Sequence, residues 1–154
     1  MGYVENTVLI ERPRPAVFDA ATTARYWPQW HPATRGVEGA IDHPVQLGEV
    51  ITEHVNIAGR EGLAHWTCVE YMRPERLVLD ATGAGGTTAR ITYTFAERSG
   101  GTEFTRAMRY NFLGLAEGSA EAAALDQVMQ AQSTVAMNNL KTLIEAEVPA
   151  PAAG

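Results

Sequence analysis

Residues 119–147 read SAEAAALDQVMQAQSTVAMNNLKTLIEAE, a stretch without glycine or proline. Alanine, leucine, methionine, glutamine and glutamate predominate in it, and these residues cost the least free energy in a helix. Ser119 is a suitable N-cap, and Glu121 lies in the first turn, where the helix dipole favours a negative charge. The stretch therefore predicts one helix roughly 43 Å long at ~1.5 Å per residue.

Apolar residues recur in this helix at steps of three and four, so they form a single stripe. Gln132 and Asn139 fall inside that stripe, and a buried amide needs hydrogen-bond partners. Two interpretations stay open: the amides bond to neighbouring backbone, or the helix lies over a cavity whose contents the amides face. The apolar members of the stripe are Leu125, Val128, Met129, Val135, Ala136, Leu140, Leu143 and Ile144.

Length and composition indicate one globular domain over residues 1–147, followed by a disordered tail at 148–154. The 12 basic residues are scattered among 18 acidic ones, which speaks against a nucleic-acid partner and against an anionic membrane. No apolar run approaches the ~18 residues of a membrane span. The first residues show no secretion signal, so a cytoplasmic protein is expected. The single cysteine, Cys68, is expected to be a buried apolar residue.

Alternating hydrophobicity predicts a strand over Tyr3 to Glu11, and six more strands follow two short helices. Short separators rich in glycine or proline divide these six strands, so consecutive strands should be antiparallel neighbours. Gly83 to Gly86 is one such separator, and its position between strands favours a hairpin turn over phosphate binding. The helices are expected over Ala16–Ala21 and from Thr22 or Thr23 through Trp30. The six strands are expected over 36–41, 49–57, 62–72, 76–82, 87–97 and 102–112.

Four motifs in this order resemble the START-like (SRPBCC) superfamily, in particular its bacterial polyketide cyclase/dehydrase and lipid-transport-like proteins and the related birch-pollen-allergen type. The motifs are IERPRPAVF at 10–18, YWPQWHP at 26–32, WTCVEYMRPERL at 66–77 and GTEFT at 101–105. The resemblance implies an α+β helix-grip fold: a seven-stranded curved antiparallel sheet, two short helices and a long C-terminal helix over a hydrophobic cavity. It implies a small apolar or aromatic ligand and no shared catalytic constellation.

Strand parity nominates the residues that line this cavity. Ile51, Val55 and Ile57 share a face with Glu53, and the last strand carries Arg106 among apolar residues. An isolated charge in an apolar cavity is costly, so Glu53 and Arg106 are expected to pair, to reach solvent or to meet a ligand. The inward polar set is Asn6, Glu53, Tyr93, Arg106 and Tyr110.

Two further positions are candidates with open alternatives. His31 is either a surface histidine beside a proline or an acid/base group at the cavity mouth. Within residues 63–71, two sets of inward residues stay open, and the resemblance favours the first: Trp66, Cys68 and Glu70, or else His65, Thr67, Val69 and Tyr71. The four histidines lack metal-ligand spacing, so no metal and no cofactor are expected.

Two functions and one further alternative follow. The first is cofactor-independent acid/base catalysis of the cyclase/dehydratase, lyase or hydratase type, with Glu53, Arg106, Tyr93 and His31 as catalytic residues. The second is a non-catalytic carrier of a lipid, aromatic or sterol-like molecule, as a monomer or homodimer; a small interaction module without a cavity is a third. The expected ligand-binding residues are Trp27, Trp30, Trp66, Phe95, Met108, Tyr110, Phe112, Leu125, Met129 and Gln132. Gln132 is expected to face the cavity, and the half of the helix near Leu140 to pack on the sheet.

Overall fold

A computed structural model describes residues 2–112 and 115–150 of the chain. Seven strands and three helices follow in the predicted order, with 3₁₀ turns at Ala24–Tyr26 and Ala84–Gly86. The strands are β1 Gly2–Ile10, β2 Thr34–Gly39, β3 Val50–Ile57, β4 Arg60–Met72, β5 Arg76–Gly83, β6 Thr88–Arg98 and β7 Gly101–Asn111. The helices are α1 Arg14–Thr22, α2 Trp27–Trp30 and α3 Ala120–Glu147.

The strands form one antiparallel sheet in the order β1-β7-β6-β5-β4-β3-β2. Each strand from β2 to β7 pairs with its neighbour in the chain, as the short turns predict, and β1 closes the order against β7. The curved sheet, the short helices and the long terminal helix confirm the predicted helix-grip architecture. No helix in the described ranges is long and apolar enough to cross a bilayer.

Helix α3 begins as predicted, because the Ser119 hydroxyl accepts a hydrogen bond from the backbone N–H of Ala122 at 3.1 Å. Its buried face matches the predicted stripe at five positions, Leu125, Met129, Ala136, Leu140 and Ile144, and differs from it at others. Val135 is 48% exposed, whereas Ser133 and Met137 are buried. At ~100° per residue, the buried arc is turned by about 60° from the predicted one. The predicted face was wrong at these positions because small or flexible side chains pack closest to the sheet. The periodicity of the sequence takes into account only whether a residue is apolar.

The first two helices pack at one end of the sheet. Val17 and Phe18 of α1 are fully buried, and Phe18 contacts Phe95 of β6 with ring centroids 5.0 Å apart. The predicted hydroxyl cap of the second helix is absent at Thr22 and Thr23. Their hydroxyls donate instead to the carbonyls of Phe18 and Asp19, one turn earlier in α1.

Strand β4 resolves the open parity question with a bulge between Cys68 and Glu70. Before the bulge, Trp66 and Cys68 are buried, as the resemblance favours. After it, the inward position passes to Tyr71, whose ring packs edge-on against Phe18 at 5.6 Å. The extra residue, Val69, is 42% exposed. Glu70 was therefore predicted wrongly as an inward residue, because one inserted residue exchanges the two faces.

Arg12, which follows β1, binds the C-terminal segment of the described chain. Arg12 donates from Nε to the carbonyl of Val148 at 2.7 Å and from Nη2 to that of Glu145 at 2.6 Å. Residues 151–154 of the predicted tail lie outside the described residues.

Candidate functional site

A cavity of about 270 Å³ lies between the inner face of the sheet and the N-terminal half of α3. Small residues at inward positions create it: Ala64 of β4, Ala81 of β5 and Ala89 of β6 occupy one end of the sheet. Bulky side chains fill the other end, where α1 covers it. The cavity thus results from side-chain volume, because the backbone pairing is continuous across both ends.

The rim of the cavity combines two turns with one face of α3. The β3–β4 hairpin contributes Ile57 and Leu63, and the β5–β6 turn contributes Gly83 and Thr87. Leu125 and Met129 of α3, with Phe112 after β7, complete the wall. The predicted hairpin at Gly83–Gly86 is thereby confirmed, and it lies at the cavity edge.

A smaller recess of about 20 Å³ adjoins the cavity and shares four residues with it: His31, Glu53, Trp66 and Arg106. Trp27, Trp30 and Tyr93 complete the recess together with Thr34, Leu79 and Ile91. The side chains that carry charge or hydrogen-bond donors therefore converge at one end of a largely apolar cavity.

Glu53 projects from β3 and is held by two donors. The Thr34 hydroxyl donates to Oε2 at 2.5 Å, and the Trp66 indole N–H donates to Oε1 at 3.0 Å. Both partners lie on adjacent strands, β2 and β4, so the sheet itself fixes the carboxylate. Each oxygen keeps a lone pair for a further hydrogen bond.

Arg106 lies opposite, on β7, and is only 7% exposed. Its guanidinium lies near the hydroxyl of Tyr93, its cross-strand neighbour on β6. Its Nε is buried without a hydrogen-bond partner, and within residues 2–112 and 115–150 no carboxylate lies close enough to form an ion pair with it. A buried charge in this state is costly unless another group meets it.

His31 follows α2 and lines both the cavity and the recess, so the interpretation as a surface histidine is wrong. Its Nδ1 accepts the backbone N–H of Ala33 at 3.1 Å. Burial, and secondarily the positive charge of Arg106, lower the pKa of His31 well below its ordinary value. The neutral ring consequently carries its proton on Nε2, where it serves as a donor.

Tyr93 is 3% exposed and lines the recess together with Arg106. Burial raises the pKa of its phenol, and the Arg106 guanidinium opposes that rise. The hydroxyl stays protonated near neutral pH. Its hydrogen is therefore available to an acceptor in the recess.

Most of the predicted site residues are brought together. His31, Glu53, Trp66 and Arg106 line both spaces. Met108, Phe112, Leu125 and Met129 line the cavity, and Trp27, Trp30 and Tyr93 line the recess.

Three predicted residues lie elsewhere. Phe95 packs between Phe18 and Phe104 beneath α1. Tyr110 donates to the Asp126 carboxylate of α3, outside the cavity wall. Gln132 is half-buried, but it is not among the described residues that line the cavity, since α3 is turned away from the predicted orientation.

Asn139 fits the first of the two open interpretations, because its Nδ2 donates to the backbone carbonyl of Trp30 at 3.2 Å. Asn6 likewise bonds to α3, accepting from the Ser133 hydroxyl at 2.6 Å. Neither amide reaches the cavity.

Sequence reasoning missed Thr34, which positions Glu53, and the alanines that open the cavity. Thr34 precedes the predicted start of its strand, so parity did not assign it a face. The alanines did carry a signal, since they are small residues at inward positions of β4, β5 and β6. Recognising it required the knowledge that these strands are adjacent.

Known proteins resemble the chain in parts of its sequence and in its whole fold. Penitrem biosynthesis cluster 1 protein I from Penicillium ochrochloron is 33% identical over 61 residues, which span 38% of this chain and 40% of that protein. A START superfamily protein from Mycobacterium smegmatis superposes with a TM-score of 0.71 at 12% identity, covering 95% of this chain and 99% of that one.

The structure of Ara h 8.0201 superposes with a TM-score of 0.68 at 13% identity, covering 94% of this chain and 98% of that one. At these identities the two solved structures show a shared fold. The sequence model of the family described as "Polyketide cyclase / dehydrase and lipid transport" matches residues 1–145, nearly the whole chain. This family and the cavity support the binding of a hydrophobic ligand. The chain belongs to the polyketide cyclase / dehydrase and lipid transport family.

Proposed function

We propose that the chain binds a small hydrophobic or aromatic molecule that carries oxygen, and that it catalyses cofactor-independent acid/base chemistry on it. The cavity lies just below the ~300–1,000 Å³ range of ligand pockets, which suits a ligand of about two rings. The reaction class is that of a cyclase/dehydratase or a related lyase or hydratase.

The observation that carries this proposal is the position of Glu53 and Arg106 at one end of an apolar cavity. Glu53 is an acceptor fixed by Thr34 and Trp66, and Arg106 is a buried cation whose Nε has no partner. A structural ion pair would neutralise such charges directly. Here both side chains border the same recess, so a bound molecule can contact them together.

The arrangement supports proton abstraction next to a ketone. Glu53 takes a proton from the α-carbon, the C–H electron pair becomes a C=C bond, and the carbonyl electrons move to oxygen. Arg106 and Tyr93 stabilise the resulting enolate oxygen. In a dehydration, the enolate re-forms its carbonyl as the β-hydroxyl leaves, and protonated Glu53 gives that hydroxyl the proton, so that water departs.

The alternative function is a carrier that binds the same class of molecule without turnover. Two observations favour it: both oxygens of Glu53 already accept hydrogen bonds from the protein, and most of the cavity wall is apolar. Ligand release would then require only that the ligand and the cavity wall become hydrated again, with no chemical step.

Exchange of the α-protons of 1-tetralone, a two-ring aromatic ketone, distinguishes the two functions. The ketone is incubated with the protein in D₂O and followed by NMR. Catalysis by Glu53 predicts exchange above the buffer rate, and a loss of about 10²-fold or more in Glu53→Gln, the size expected for a general base. Glu38→Gln, a change at an exposed carboxylate on β2, is the matched control and should exchange as the wild type does.

Exchange at the buffer rate in the wild-type protein, with 1-tetralone bound, would favour the carrier. A second measurement tests the carrier directly. Native mass spectrometry of the protein purified from its own host should then show a co-purified apolar ligand of one mass. If the protein carries no ligand and binds no two-ring probe, both functions are contradicted.

A further inference from the structure

The recess beside the cavity has room for a single atom of a ligand. Its volume is about 20 Å³, close to the ~10–15 Å³ that one water molecule requires. The cavity proper is more than ten times larger, at about 270 Å³. A ligand whose rings fill the cavity can therefore extend one oxygen into the recess, whereas a group with two or three oxygens is too large.

The recess is surrounded mainly by hydrogen-bond donors. Arg106 and Trp30 border it, and each has a buried N–H nitrogen without a partner, Nε and Nε1 respectively. Arginine and tryptophan side chains can only donate. The hydroxyl of Tyr93 and the Nε2–H of His31 add two more donors. An atom in the recess must therefore accept hydrogen bonds, and if it carries a hydrogen of its own, Glu53 is the acceptor that borders it.

Glu53 limits the charge that the recess admits. Its carboxylate borders both the recess and the cavity, so it lies beside any group that joins the two. A ligand carboxylate would bring a second oxygen beside Glu53, and two adjacent carboxylates repel strongly in a buried site. A ketone, an enolate or a phenolate has no second oxygen.

We infer that the recess is a one-oxygen site, which selects phenols and enolisable ketones and rejects carboxylates and phosphates. This inference rests on the proposed function and narrows its substrate class. The ligand enters with its oxygen toward Arg106 and its rings between β4, β5 and α3. Fatty acids and other carboxylic lipids are consequently poor ligands of this cavity.

Three naphthalene probes of similar shape test the inference by isothermal titration calorimetry: 2-naphthol, 2-methylnaphthalene and 2-naphthoic acid. The hydroxyl and the methyl group differ little in size, so the first pair isolates the hydrogen bonds of the recess. We expect 2-naphthol to bind at least tenfold more tightly than 2-methylnaphthalene. We expect 2-naphthoic acid to bind more weakly than 2-naphthol.

Three variants test whether the recess causes the preference for 2-naphthol over 2-methylnaphthalene. Arg106→Met should reduce the advantage of 2-naphthol over 2-methylnaphthalene to less than threefold, while 2-methylnaphthalene binds as before. Tyr93→Phe removes one donor and keeps the charge, so it should reduce the advantage partly, and it serves as the test if Arg106→Met does not fold. Arg35→Met, at an exposed arginine of β2, should leave all three affinities unchanged.

The outcomes distinguish failure of the one-oxygen site from failure of the proposed ligand-binding function. Equal binding of 2-naphthol and 2-methylnaphthalene would overturn the one-oxygen site and leave the hydrophobic binding function intact. Tighter binding of 2-naphthoic acid than of 2-naphthol would also overturn it, in favour of an anion site for a larger head group. If none of the three probes binds, the proposed function fails, and the inference fails with it.

Discussion

At the scale of single residues, the cavity places His31 beside the guanidinium of Arg106. Burial and this neighbouring charge both disfavour the imidazolium form, so the pKa of His31 lies well below its ordinary value. Neutral His31 accepts from the Ala33 backbone with Nδ1 and offers a proton at Nε2. The positive charge of Arg106, which would bind a ligand oxygen, thus also keeps the adjacent His31 ring neutral and able to donate from Nε2.

This pKa shift predicts how the stability of the protein depends on pH. The folded pKa of His31 is below the unfolded value of ~6.5, so the unfolded chain takes up the proton first as the pH falls. The contribution of neutral His31 to the free energy of unfolding is therefore complete above pH ~6.5 and is lost progressively as the pH falls below that value. The wild type should lose more stability than His31→Gln between pH 7.5 and 5.5, by up to about 1.4 kcal/mol per pH unit.

Urea denaturation of both proteins at several pH values measures this difference. The glutamine can keep the bond to the Ala33 backbone, and the titration of the carboxylates cancels in the comparison. His65→Gln, a change at an exposed histidine of β4, should follow the wild-type curve. Parallel curves for wild type and His31→Gln would contradict the lowered pKa.

At the scale of elements, α3 joins the two ends of the fold. Leu125 and Met129 line the cavity, whereas Leu140 and Ile144 are fully buried in the core. Between them, Asn139 donates to the carbonyl of Trp30, the last residue of α2. This amide thus links α2, and with it the adjacent His31, to the long helix.

Replacement of this amide should destabilise the fold measurably. We expect Asn139→Ala to lower the free energy of unfolding by about 1 kcal/mol, the typical net value of one hydrogen bond whose acceptor is then left unpaired. Asn138→Ala is the matched control, because Asn138 is an exposed amide of the same helix and, in the described part of the chain, the bond to Trp30 comes from Asn139. It should change stability by less than about 0.5 kcal/mol. Equal losses in the two variants, measured in urea, would indicate that only helix propensity is affected.

At the scale of the whole molecule, the sheet is divided into a packed end and an open end. Phe18, Phe95 and Phe104 fill the space beneath α1, and Ala64, Ala81 and Ala89 leave space beneath the N-terminal half of α3. The boundary between the ends is the row of polar groups around Glu53 and Arg106. Binding capacity and folding stability therefore depend on different halves of one core.

Filling the open end should abolish binding without loss of stability. Ala81→Leu adds three carbon atoms to an inward position of β5 that borders the cavity. We expect the affinity for 2-naphthol to fall at least tenfold. The free energy of unfolding should stay the same or rise, because the side chain enters open space and not a packed core.

Calorimetry and urea denaturation on the same samples test both parts of this prediction. Ala96→Leu, at an exposed position of β6, is the control and should alter neither quantity appreciably. A loss of more than about 1 kcal/mol in Ala81→Leu would mean that this end is closely packed, since overpacking costs roughly 1–3 kcal/mol.

Local patterns in the chain were sufficient for the order of elements, the antiparallel pairing and the inward faces of β3, β6 and β7. Alternation and short turns are properties of neighbouring residues, so they can be read without the fold. The resemblance to the START-like superfamily added the helix-grip architecture and the cavity. Glu53 and Arg106 were identified because charges at inward positions break the apolar pattern.

Other features depend on contacts between residues distant in the chain. The rotation of α3 exposes Val135 and buries Met137, and it follows from how closely side chains of different volume approach the sheet. The bulge in β4 replaces Glu70 by Tyr71 at the inward face, because a single inserted residue reverses parity. Residues of α2 and of strands β2 to β7 line the recess, and its free donors come from three stretches that are distant in the chain: Trp30 and His31, Tyr93, and Arg106. The sequence therefore determines which polar residues are present on the inward faces. Tertiary packing determines which of their donors are buried without a partner.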